Sequence, residues 1–297
     1  MKNFSKSGIR RGFTLIELLV AILLFGIVGA AFTRLLTTQG RFFEKQGMRN
    51  AARNVSRGSL NRIISDFRMI EATGGVVPGL ASSTSLTIRV PFAIGVVCAG
   101  LGVSGLGGMT VISVLPVDSV MYANPANSFY GYSWRSASTG VYTYVEPATK
   151  NENSANLVAC TGVNITTIPK GKTVGLQPEL PLAAGLGTPV FLYRKIRYEF
   201  KASTAVPGKL GLYRTVIFPN ASESSEELVA PFASTASFKF FVTGNSTTAQ
   251  DDPPALTSDL RGIELHLDGM SEGIAPGSNA PENAPFTTAV FFKNRID

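Results

Sequence analysis

Charge is scarce in this sequence: Asp, Glu, Lys and Arg make up 16% of its 297 residues, against 44% hydrophobic residues. That balance excludes a disordered chain, which is apolar-poor and charge-rich. It leaves material for a substantial core in one large or two small domains. Cysteine is nearly absent. The two present, Cys98 and Cys160, lie too far apart for a CxxC redox or zinc pattern. In an exported chain they can form a disulfide; two buried thiols that never meet is an equal reading. A uniform charge is lacking too. The net +7 comes from +4 over Met1–Gly12 and +5 over Phe13–Arg68, while Met69–Asp297 carries −2. The body is no polycation, which argues against a body-wide phosphate-binding surface.

What is abundant near the start is apolar surface. MKNFSKSGIRRG is polar and cationic, and FTLIELLVAILLFGIVGAAFTRLL follows at once. From Phe13 to Leu36 only Thr14, Glu17, Thr33 and Arg34 interrupt the run. Spanning a bilayer takes about 20 apolar residues, so this run suffices. Lys2, Lys6, Arg10 and Arg11 place the leading end in the cytoplasm by the positive-inside rule. No small-residue cleavage site follows the run, unlike an ordinary secretory signal. Glu17 remains to be explained, because a carboxylate at membrane depth is costly and calls for a partner. The expected partner is a cation at the same level.

Arg11-Gly12-Phe13-Thr14-Leu15-Ile16-Glu17 resembles the signature of type IV prepilins and type II secretion pseudopilins. The resemblance implies a prepilin peptidase that cuts between Gly12 and Phe13 and methylates the new terminal Phe13. It also implies that Glu17 pairs with the N-terminal amine of a neighbouring subunit and so sets register in a filament.

Helix-compatible sequence continues to about Ile70, with no proline before Pro78. Gly26, Gly29, Gly40, Gly47 and Gly58 are expected to bend or melt it locally. Gly74-Gly75 reads as its C-terminal cap. Leu60, Ile63, Ile64, Phe67 and Ile70 fall on a face suited to packing on the body. Arg41, Lys45, Arg49, Arg53 and Arg57 recur at i, i+4 as a basic stripe. Its readings are a solvated face, lipid phosphates, acidic residues of a neighbouring subunit, or, least favoured, DNA.

Beyond Pro78 the pattern is mostly β. Strands are expected at 85–90, 110–115, 190–201, 212–218, 238–242, 263–268 and 287–293, with a hairpin turn at Pro207-Gly208. The segments 95–108 and 123–187 give no assignable pattern. Arg197-Tyr198, Gly211-Leu212-Tyr213-Arg214 and the closing Thr287–Phe292 with Asn294-Arg295 resemble PilW-type minor pilins and the larger J-type secretion pseudopilins.

Other motifs lack context. Gly100–Gly105 fits GxGxxG, but no helix start follows it. Gly171-Lys172-Thr173 resembles a phosphate loop without its first glycine. Glu264, His266 and Asp268 share one strand face with no nucleophile beside them. Asp251-Asp252 with Asn245 lacks calcium-loop spacing. No enzyme, cofactor or metal is expected.

The reading is therefore an α+β, pilin-like chain, with a long N-terminal helix, its first half transmembrane, packed on a β-sheet-rich globular head. It divides into a leader (1–12), a transmembrane and assembly helix (13–36), the outer helix (37–72) and an extracytoplasmic head (73–297). The resemblance implies a minor pilin-like subunit held in the inner membrane by a single pass and then assembled into a type IV pilus. Its partners would be the prepilin peptidase, inner-membrane lipid and other pilin or pseudopilin subunits. The alternatives are a type II secretion minor pseudopilin and, from another class, an anchored envelope binding protein that never polymerises.

Overall fold

The computed structural model describes residues 14–71, 73–100, 108–124, 128–152, 160 and 172–292. The chain forms α1 (Leu15–Arg68), a single helix of 54 residues, which at ~1.5 Å per residue is about 81 Å long. The five glycines expected to bend or melt it do not melt it. All lie inside the continuous helix, and a Cβ built on any of them meets nothing within 4 Å. With no neighbour wedged against these positions, the i→i−4 ladder has no competitor, and in an apolar surrounding a broken rung is costly.

The helix also ends earlier than its glycine signal suggests. Met69 closes it, its N–H donating to the carbonyls of Asp66 and Phe67. Phe67 and Ile70, both buried, straddle that point. Tertiary packing therefore sets the end, and Gly74 (φ 85°) serves the turn into the first strand.

The head consists of β1 (Val76–Ala81), β2 (Ser85–Ala99), β3 (Thr110–Val114), the short helix α2 (Ser119–Ala123), β4 (Gly131–Arg135), β5 (Tyr142–Val145), β6 (Thr149–Asn151) and β7 (Thr173–Gln177). There follow β8 (Pro189–Ala202), β9 (Leu210–Ile217), β10 (Glu223–Phe232), β11 (Ser237–Val242), β12 (Asn245–Gln250), β13 (Leu260–His266), β14 (Gly269–Met270), β15 (Asn283–Ala284) and β16 (Thr287–Phe291). Among the described residues twelve strands join one sheet, in the order β15-β14-β10-β9-β8-β2-β3-β7-β6 with β1 against β2 and β4-β5 against β8. A second sheet runs β12-β11-β13-β16.

Two long strands make the spine. β2 and β8 pair antiparallel from Ser85↔Glu199 to Val96↔Pro189. One half of β8 pairs on its other side with β9, the other half with β4. The head thus has two cores on one spine. The first packs Ile63 and Phe67 of α1, and Ile70 just past its end, against Ile88, Ile196 and Phe238. The second gathers Val97, Tyr132, Trp134 and Val174, from the stretches that sequence pattern left unassigned, with Ile112 and Leu192 from expected strands.

Several expectations are corrected here. The segment 95–108 is not all loop, because Gly95–Ala99 continues β2. Gly100 (φ 78°) follows it, and the remaining glycines of that motif lie outside the described residues. Thr173 opens β7 and Lys172 pairs with Glu152, while Gly171 and the loop before it lie outside the described residues. β13 stops at His266, and Asp268 is turned to accept from the Thr235 hydroxyl at 2.6 Å. Glu264 and His266 do touch, but Asp268 does not complete a relay. Asp251 faces Lys239 at 3.0 Å.

Candidate assembly site

The chemistry suggested by the sequence lies at the two ends of α1. Gly12 and Phe13, and so the expected cleavage point, are outside the described residues. Thr14 is the helix N-cap, with extended φ/ψ. It forms a capping box with Glu17: the Thr14 N–H and hydroxyl each donate to Glu17 Oε2 at 2.9 Å, and the Glu17 N–H donates to Thr14 Oγ1 at 3.4 Å. Such a box satisfies N-terminal donors that have no intrahelical acceptor. It also answers the expectation that Glu17 needs a cation. In the single subunit the carboxylate already has hydrogen-bond partners, both on Thr14.

Among the described residues nothing covers the first half of α1. Fourteen large apolar side chains between Leu15 and Leu36 are at least half exposed, Leu15 by 83% and Phe25 by 82%. Covering them is worth on the order of 20 kcal/mol. Lipid or other helices must provide that cover. α1 is long and apolar enough to cross a membrane.

The outer half is seated on the head by small residues and charge. Ala52, Ser56, Ser59, Ile63, Asp66 and Phe67 form its buried stripe, each three or four residues from another as one helix face requires. Ser56 Oγ accepts from the Gly269 N–H and donates to the Ala284 carbonyl, both at 3.0 Å. β14 comes so close that a Cβ on Gly269 would lie 2.3 Å from the Ala52 carbonyl oxygen and 2.6 Å from Ser56 Oγ. Only glycine fits.

At the far end Asp66 is buried. It accepts from the Tyr198 hydroxyl at 2.7 Å and from Arg194 at 3.0 Å, and Arg214 lies 3.6 Å away. Burial, with the nearby Asp66 charge, pushes the Tyr198 hydroxyl up, so it remains a donor. On the opposite face of the spine Glu146 binds Arg89 at 2.7 Å, Lys195 at 3.3 Å and Tyr193 at 3.1 Å. Burial works against that carboxylate, but Arg89 and Lys195 outweigh it and hold its pKa below the usual range.

The basic stripe is divided. Arg49 and Lys45 reach Glu282 at 2.8 and 3.4 Å, and the hydrogen bond from Arg49 holds the Glu282 carboxyl below its usual range. The acidic partner envisaged on a neighbour is thus, for these two, in the same chain. Arg41, Arg53 and Arg57 are exposed. Cys98 and Cys160 are joined as a disulfide, with Cα atoms 5.2 Å apart, and Cys98 is fully buried. No three His, Cys, Asp or Glu side chains converge among the described residues.

Asp66, Gly269 and Glu282 escape sequence reasoning. Asp66 alone carries a signal, being an acid set within the apolar stripe of Ile63, Phe67 and Ile70.

Neither a curated protein nor a solved structure matches the chain. Residues 9–33 match the family model described as the prokaryotic N-terminal methylation motif. That stretch holds the Gly12-Phe13 junction, Glu17 and most of the uncovered apolar helix, the three features that a processed, polymerising subunit requires. With the α+β architecture of a long helix on a β-rich head, the match over residues 9–33 supports a type IV pilin- or pseudopilin-like chain.

Proposed function

We propose that this chain is a minor pilin-like subunit of a type IV pilus, processed between Gly12 and Phe13 and assembled through α1. The observation that carries the reading is the first half of α1: an unbroken apolar helix, uncovered by the described residues, with one carboxylate a single turn from its start. Residues 1–12 act as the leader, 13–36 as the membrane and assembly segment, 37–72 as the outer helix and 73–297 as the extracytoplasmic head. The leader is cytoplasmic and the chain crosses the inner membrane once before it enters the filament.

On assembly Glu17 exchanges its Thr14 hydrogen bonds for the freed amine of a neighbouring Phe13. An unpaired charge in an apolar surrounding is strongly penalised, so a subunit out of axial register is disfavoured. The two-lobed head, built on a spine of two long strands, is more than a plain shaft unit needs and suits display at or near a tip.

N-terminal mass spectrometry of protein purified from its native membrane tests the reading. A chain beginning with N-methylated Phe13 is the expected result. A chain beginning at Met1, or after the apolar run, would overturn it in favour of an anchored binding protein.

A further inference from the structure

A groove of about 660 Å³ lies between the outer half of α1 and the edge strand β16. Leu60, Ile64, Phe67, Arg68 and Ile70 form one wall and the five successive residues Thr288–Phe292 form the other. Five residues in a row line a groove only when a strand turns its backbone edge to it, since side chains alternate between faces. The ladder agrees. β16 ends its sheet among the described residues. The Phe292 N–H donates to the Arg261 carbonyl at 3.1 Å and the Leu267 N–H to the Phe286 carbonyl at 2.8 Å. With Ile263 opposite Val290, antiparallel alternation turns the N–H and C=O groups of Thr287, Ala289 and Phe291 away from β13.

Among the described residues, two needs without a partner therefore share one groove: main-chain groups that suit a strand, and half-covered Leu60 and Ile64 that suit apolar contact. Among the described residues the lining has one charged side chain, the exposed Arg68, and no carboxylate.

We infer that this groove receives an extended segment of a second pilin-class subunit, added as a strand to β16. That segment is apolar at alternate positions, facing α1, and carries a carboxylate where it passes Arg68. About five residues, or roughly 17 Å of strand, fill it. The inference rests on the assembly reading, because it needs a neighbouring subunit. It extends the contact from the membrane helix to the head.

The test places an aliphatic diazirine amino acid at Ile64 of the full chain in its native cell, irradiates, and sequences the cross-linked peptides. The expected partner is an extended segment of another subunit that bears the N-terminal methylation motif. Ala289→Pro is expected to lower that yield about tenfold, the scale of one lost main-chain hydrogen bond. It should leave the melting temperature unchanged, because that N–H faces away from β13 and proline is tolerated on such an edge. Arg68→Glu is expected to lower the yield as well, and reads the same contact should the proline variant fail to fold.

Cross-links only to residues 293–297 of the same chain, only to lipid, or to a protein without the motif would overturn the inference. So would unchanged yields in both variants. The state of Phe13 is read from the same preparation. Methylated Phe13 without an inter-subunit cross-link removes the strand addition alone, whereas an unprocessed chain removes the assembly reading with it.

Discussion

Gly269 shows how much one absent methyl group can decide. Its Cβ position is filled by the Ala52 carbonyl and Ser56, neither of which is the far end of a flexible chain. Gly269→Ala must push β14 off the helix and lengthen the Ser56 hydrogen bonds. A loss of about 3 kcal/mol is expected, readable as a lower denaturant midpoint with unchanged m-value.

Glu227 is the other residue with a sharp signature. Burial works against its charged form. Hydrogen bonds from the Ser203 and Thr204 side chains, the Tyr213 hydroxyl and the Thr204 N–H outweigh it and bring the pKa down to about 2 from 4.5. A folded-state pKa below the unfolded one gives stability that is full above about pH 4.5 and lost as pH falls through about 2. Glu227→Gln is therefore expected to melt below the wild type at pH 7 and to match it near pH 2. A gap that persists at pH 2 would assign the effect to packing.

At the scale of elements, α1 was legible in outline because apolar length and helical period are local properties of sequence. The strands that alternate cleanly, such as Ile196, Tyr198 and Phe200 in β8, were legible for the same reason. β10 was not. Glu223-Ser224-Ser225-Glu226-Glu227 has no apolar alternation, and this stretch is held to β9 by pairing from Glu223↔Ile217 to Glu227↔Tyr213. β4 to β7 were missed because each has three to five residues, and β7 finds its partner β3 far back in sequence. At the site, the Gly12-Phe13-Glu17 pattern was visible because the motif is contiguous. The seating of α1 was not, since Asp66, Gly269 and Glu282 act through residues far from them in sequence.

The helix-to-sheet joint belongs to this scale too. Asp66→Asn leaves Arg194 and Arg214 facing a neutral amide in a buried setting. A cost of about 3 kcal/mol is expected, with earlier hydrogen exchange in the last turns of α1 than in the second core. Uniform loss of protection across both cores would contradict a local joint.

For the whole molecule, the proposed function divides the labour between the exposed half of α1, which holds, and the packed head, which is displayed. On the proposed assembly, Glu17→Ala removes the register device and leaves the apolar surface intact. The variant is expected to be cleaved, methylated and held in the membrane as before, yet recovered several-fold less in sheared filaments. Recovery equal to wild type would refute the register role. Adding Thr14→Val separates the two duties of the carboxylate, since it disrupts the cap while leaving Glu17 available to a neighbour.

Tension is where the two-ended seating of the outer helix matters. Arg49 meets Glu282 near one end and Asp66 meets Arg194 near the other, 17 residues or about 26 Å apart along the axis. A pull on the helix along its length therefore reaches the head as shear spread over that seam. A joint fastened at one end peels contact by contact. One fastened at both ends has to give way all at once, so a subunit built this way can transmit force through its head without first letting go of it.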